Sequence, residues 1–143
     1  MKILIINGPN LNMLGIREPS IYGSKTYNDL ICYIKEEALK ENIETIFFQS
    51  NHEGEIIDQI QEAYYKKYDG IIITPGAYTH YSYAIHDALT SVNIKTIEVH
   101  LSDITKREDF RKVSVISDAC YKTIYGKGFE GYIEALKIFE NDL

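Results

Sequence analysis

The side chains of this chain that could do acid–base chemistry mostly sit just past short apolar runs. The stretch "NGPNLNMLGIREPSIYG", Asn7 to Gly23, follows one such run and carries Asn10, Asn12, Arg17 and Tyr22 with no helical period. A phenol is a poor base at neutral pH, because forming tyrosinate at pH 7 costs about 4 kcal/mol at ~1.36 kcal/mol per pK unit. A guanidinium in contact favours the anion and removes much of that cost. Arg17 and Tyr22 in one turn-rich loop are therefore candidates for a tuned base. Spacing alone equally allows a solvated Arg17 and a Tyr22 packed on its own loop, and with 12 tyrosines in the chain composition selects none of them.

A second constellation follows the run "TIEVH". Strand alternation places Glu98 and His100 on one face, so the carboxylate could orient the imidazole for general acid or base work; a hydrogen-bonded structural histidine fits the same spacing. His80 lies in a turn after Pro75-Gly76, which suits ligand contact better than core, whereas His52 is given no role. The charge-rich "DITKREDFRK" (103–112) reads either as a solvated loop or as a place where Arg107 and Arg111 clamp an oxygen-rich ligand. Other chemistries lack their signatures. "PGAYTH" has neither the Walker lysine nor the G-x-G-x-x-G order, no Cys/His cluster suggests a metal, and no G-x-S-x-G elbow is present.

The elements that must hold these groups alternate. Strands are expected at Lys2–Ile6, Glu44–Gln49, Gly70–Thr74 and Thr96–Val99, with a weaker one at Lys122–Tyr125. Between the first two, Thr26 and Asp29 form a capping-box pattern before Tyr27, Leu30, Ile31, Ile34 and Ala38 at helical spacing. Further helices are expected over Glu53–Lys67, with Ile56, Ile57, Ile60, Ala63 and Tyr64 on one face, and over Tyr81–Val92 through Ala84, Ile85, Ala88 and Leu89. The last, about Gly131 to Glu140, turns Tyr132, Ile133, Leu136 and Phe139 inward. Near-continuous β-branched runs such as "GIIIT" suit strands covered on both faces. The pattern predicts an α/β fold: one flavodoxin-like three-layer α/β/α domain over 1–143 with a five-stranded parallel sheet. Ligands of such sheets sit beyond the carboxyl ends of the strands. "NGPNLN", "SNHEG", "PGAYTH" and "HLSD" all fall on that edge, so side chains spread along the chain could converge there.

Composition narrows the partners. With 21 acidic against 15 basic residues the formal charge is -6, which argues against nucleic acid or an anionic membrane surface as main partner. A small anionic ligand needs only a local cluster of donors. No apolar run nears the ~20 residues of a membrane span, and the N-terminal run reads as a core strand, not a signal peptide. Cys32 and Cys120, far apart, suit idle thiols in a reducing cytoplasm.

Taken together, "NGPNLNMLGIREPSIYG", "FQSNHEGEIIDQI", "PGAYTHYSYAIHDAL", "IEVHLSDITKREDFR" and "GKGFEGYIEAL" resemble the type II 3-dehydroquinate dehydratases, or type II dehydroquinases, over nearly the whole chain. The resemblance implies no cofactor, no metal, and trimers assembled into a homododecamer. It implies anti elimination of water from 3-dehydroquinate, giving 3-dehydroshikimate through an enolate, a shikimate-pathway step toward aromatic amino acids. Carried over, Tyr22 is the base held as tyrosinate with help from Arg17. Asn10 stabilises the enolate oxygen, and His100 with Glu98 behind it serves the departing hydroxyl. Thr74, His80, Leu101, Ser102 and Arg111 match substrate-binding positions, Asp87 one that reaches a neighbouring subunit's site, and the loop from Asn12 to Tyr22 a lid hinged at Gly15.

Three positions depart from the family pattern: Thr74 stands where Asn is usual, His86 where Arg is, and Asp103 where Asn is. They motivate a competing reading, a binding or scaffold homologue that kept the fold but lost turnover. A flavin or nucleotide module of the same fold is the third reading, against which the missing phosphate loop counts.

Overall fold

The computed structural model describes residues 1–16, 20 and 24–142. Five strands form one parallel sheet: β1 (Lys2–Asn7), β2 (Glu44–Gln49), β3 (Gly70–Thr74), β4 (Thr96–His100) and β5 (Lys122–Tyr125), in the order β2-β1-β3-β4-β5. Two strands run one residue beyond the sequence expectation. Asn7 continues the ladder opposite Gln49 and Thr74, and His100 pairs with Tyr125.

Four α-helices cover the sheet among the described residues: α1 (Tyr27–Lys40), α2 (Glu53–Tyr65), α3 (Tyr83–Val92) and α4 (Glu130–Asp142). The capping box at α1 forms as the sequence suggested, with Asp29 N–H donating to Thr26 Oγ1 and Thr26 N–H to the Asp29 carboxylate. α3 starts at Tyr83 instead of Tyr81, because Ser82 is its cap and accepts from Ile85 N–H at 3.1 Å. α2 ends at Tyr65, two residues early, since Lys67 turns left-handed at φ 57°.

The helices form two layers. α1 and α4 pack Leu30, Ile34, Ala38, Tyr132, Leu136 and Phe139 onto Ile3, Ile5, Ile72, Ile97 and Val99. On the other face α2 and α3 pack Ile56, Ile60, Ala63, Ile85 and Leu89 onto Leu4, Ile6, Ile71 and Ile73. Two inward assignments fail: Tyr64 and Ala84 are exposed. Each lies roughly 80–100° around its helix from the buried stripe, at 100° per residue, so it faces sideways instead of down onto the sheet. No described helix is long and apolar enough to cross a membrane.

Strand order sets the site. The chain leaves β1 toward β2 on one side and returns to β3 on the other, so the loops after β1 and β3 part at a switch point.

Candidate active site

The two loops at the switch point meet backbone to backbone. Gly8 N–H donates to Thr74 O at 2.8 Å, and a Cβ on Gly8 would fall 2.6 Å from Pro75 O. Only glycine permits that approach. Opposite it, Gly76 takes φ +62° with Pro9 O 3.1 Å from its would-be Cβ. These contacts close the floor of a cleft at the carboxyl ends of the strands. Its walls come from three strand ends. Asn10 follows β1; Thr74 ends β3 and His80 follows it; His100 ends β4, with Leu101 and Ser102 next. Arg107 and Arg111 come from the segment beyond. Leu11, Leu14 and Ile104 supply apolar surface that the sequence did not single out.

Glu98 and His100 form a buried polar pair. Glu98 is fully buried and His100 only 6 % exposed, and His100 Nε2 lies 2.5 Å from Glu98 Oε2. The same carboxylate accepts from the hydroxyls of Thr79 at 2.5 Å, Ser114 at 2.8 Å and Thr123 at 3.2 Å. Burial pushes the Glu98 carboxyl up, but the hydrogen bond and charge of His100, joined by Thr79 and Ser114, outweigh it and hold the group below its usual range. An ionised Glu98 accepts a hydrogen bond from Nε2–H of His100, leaving Nδ1 as the nitrogen through which His100 can exchange a proton with a ligand. Alternation predicted the pair. The three hydroxyls could not be found from spacing, because they arrive from a turn, a loop and β5.

Asn10 is held by backbone geometry. Its φ of 71° lies in the left-handed region, where Asn is among the few side-chain-bearing residues tolerated. Its N–H donates to Asn51 Oδ1 at 3.0 Å, Gln49 Nε2 donates to Gly8 O at 3.2 Å, and Tyr78 Oη donates to Asn51 O at 2.8 Å. The loop after β2 therefore supports the site without lining the cleft.

Cationic groups gather on one wall despite the net negative chain. Arg111 Nε lies 2.7 Å from Glu108 Oε2, and its guanidinium stacks 4.7 Å from the Phe110 ring. His80 Nδ1 sits 2.7 Å from Val113 O; a carbonyl only accepts, so Nδ1 carries the proton. Among the described residues no three His, Cys, Asp or Glu side chains come together as a metal site. Cys32 and Cys120 are both free.

Of the residues singled out in the sequence, Asn10, Thr74, His80, His100, Leu101, Ser102 and Arg111 line the cleft, and Glu98 stands behind it. Asp87 does not line it: its side chain is 79 % exposed on α3, 3.1 Å from His86 Nδ1. Asp103 caps the turn at Ile104–Lys106, accepting from Thr105 N–H at 3.0 Å. His52, left without a role, is exposed. Arg17 and Tyr22 lie outside the described residues.

Comparison with known proteins converges on one family. The profile of Dehydroquinase class II matches residues 1–140. A 3-dehydroquinate dehydratase of Clostridium beijerinckii is 61% identical over 140 residues, covering 98% of this chain and 96% of that protein. Among solved structures, the type II dehydroquinase of Butyrivibrio crossotus superposes with a TM-score of 0.96 at 58% identity, covering 97% of both chains. That of Propionibacterium acnes gives 0.95 at 39% identity, covering 99% of this chain and 97% of the other.

Proposed function

The chain belongs to the class II dehydroquinase family, and we propose that it is a hydro-lyase that converts 3-dehydroquinate to 3-dehydroshikimate by anti elimination through an enolate. The observation that carries the reading is the Glu98–His100 pair facing a cleft built from Asn10, Thr74, His80 and Arg111. Tyr22, held as tyrosinate with the help of Arg17, takes the proton α to the ketone, and the electron pair of that C–H bond passes into the enolate. Charge on the enolate oxygen is stabilised by polar contacts that Asn10 orders, because preorganised donors are worth most where charge develops. Collapse of the enolate breaks the carbon–oxygen bond of the departing hydroxyl. His100 delivers a proton to that oxygen, so that water leaves, and Glu98 stabilises the imidazolium before delivery. No metal or cofactor enters these steps.

The wall of Arg107 and Arg111, with His80, Leu101 and Ser102, suits a ring carrying hydroxyls and a carboxylate. Asp87, exposed and away from its own cleft, acts in a neighbouring subunit's site within trimers that build a dodecamer. The protein works in the cytoplasm in the shikimate pathway, a setting that suits its two free thiols.

Purified protein should generate a conjugated enone from 3-dehydroquinate, followed by ultraviolet absorbance and unaffected by chelator or borohydride. Tyr22→Phe should lower kcat by at least about 10³-fold, within the range attributed to a positioned base, with the circular dichroism of the wild type. Substantial residual turnover would remove Tyr22 from its role. Tight binding of 3-dehydroquinate without product would favour the scaffold reading that Thr74, His86 and Asp103 raise.

A further inference from the structure

A chain of buried hydrogen bonds runs from the cleft wall into the core. Thr74, 3 % exposed at the end of β3, has its Oγ1 2.6 Å from Tyr132 Oη. Tyr132, fully buried on α4, donates from the same oxygen to Asn7 Oδ1 at 2.6 Å. Asn7 Nδ2 donates in turn to Tyr27 Oη at 3.2 Å, on the first residue of α1. With Asn7 Oδ1 facing Tyr132 and Nδ2 facing Tyr27, the 2.6 Å contact suits O–H···O and the 3.2 Å contact lies in the ordinary N–H···O range. A phenol has one hydrogen. Tyr132 gives it to Asn7, so Tyr132 Oη must accept from Thr74, and the single hydroxyl hydrogen of Thr74 points into the core.

We infer that Asn7 and Tyr132 set the hydrogen-bond polarity of the cleft at Thr74: toward a ligand Thr74 offers only lone pairs, and the ligand group that faces it is a donor hydroxyl. Tyr132 and Asn7 are positioning residues, acting through Thr74. The inference rests on the dehydratase reading and adds a specificity rule to it. A carboxylate or carbonyl oxygen set against Thr74 would meet lone pairs and leave the contact unmade, whereas a ring hydroxyl satisfies it.

The test is steady-state kinetics with 3-dehydroquinate on the wild type, Thr74→Ser, Thr74→Val, Tyr132→Phe and the Thr74→Val/Tyr132→Phe double variant. Thr74→Val removes the acceptor at constant volume and should raise KM about tenfold with a smaller change in kcat, while Thr74→Ser, which keeps the hydroxyl, should raise KM clearly less than Thr74→Val does. Tyr132→Phe should raise KM in the wild-type background and leave it unchanged in the Thr74→Val background, because the two act on one contact. Any loss of thermal stability should instead persist in both. Equal KM values for Thr74→Ser and Thr74→Val, or the same Tyr132→Phe shift in both backgrounds, would overturn the proposal. Should Tyr132→Phe fail to fold, the Thr74 pair alone decides. Absence of enone from the wild type would overturn the dehydratase reading instead; calorimetric titration with quinate, a non-reacting ring polyol acid, would then make the same Ser-against-Val comparison.

Discussion

At the scale of single residues, Glu98 carries the most exposed consequences. Its fully buried carboxylate is satisfied by one imidazole and three hydroxyls. Glu98→Gln keeps the shape but removes the charge that stabilises an imidazolium at His100. It should lower kcat by about 10²-fold, the lower end of what a positioned acid contributes, with little change in KM; the enone assay measures both. The same residue sets an acid limit on stability. Its folded pKa lies below the ordinary value, so the unfolded chain binds the proton more readily than the folded one. The stabilisation is therefore complete above the ordinary carboxylate pKa of about 4.3 and is lost as pH falls through the lower folded value. Urea melts between about pH 3 and pH 7 should show the wild type losing its advantage over Glu98→Gln below about pH 4. An advantage that grows in acid would contradict the assigned direction.

At the scale of elements, the site depends on how closely two loops approach. Gly8 and Gly76 let the segments after β1 and β3 touch through their backbones, and Thr74, Pro9 and Asn10 are placed by that contact. Gly8→Ala inserts a methyl group 2.6 Å from Pro75 O, so one loop must shift. A loss of about 1–3 kcal/mol in stability is expected from overpacking of this kind, with a larger fall in activity than an equally destabilising core change elsewhere, read by melting temperature and kcat/KM together. Helices and strands were largely legible in the sequence because their signals are local: a capping box at Thr26, β-branched runs, and apolar spacing along one face. The misses are local too. Tyr64 and Ala84 share the helical face only at its flank, where what covers them depends on a neighbour that the periodicity cannot see.

At the scale of the whole molecule, Asp87 is the residue that its own cleft does not use. On the trimer reading proposed above, it completes a site on the next subunit. Co-expressing Asp87→Ala with Tyr22→Phe subunits should then restore activity, because mixed assemblies contain sites with an intact Tyr22 from one chain and an intact Asp87 from another. Turnover no greater than that of the two variants assayed separately would confine Asp87 to its own subunit. Strand order matters at the same scale: the β2-β1-β3-β4-β5 arrangement brings the segments after β1, β3 and β4 together although Asn10 and His100 are ninety positions apart.

The sequence by itself determined the elements, the α/β class, and which residue types could do acid–base chemistry, since periodicity, capping and strand alternation act over a few residues. Alternation even paired Glu98 with His100. Tertiary structure decided which candidates share a cleft and what their neighbours leave them able to do. It brought Thr79, Ser114 and Thr123 onto Glu98, moved Asp87 away from the cleft, and turned the hydroxyl of Thr74 toward Tyr132. Each of these depends on atoms far apart in the chain meeting at hydrogen-bond distance, and only the packed sheet and its helices set that distance.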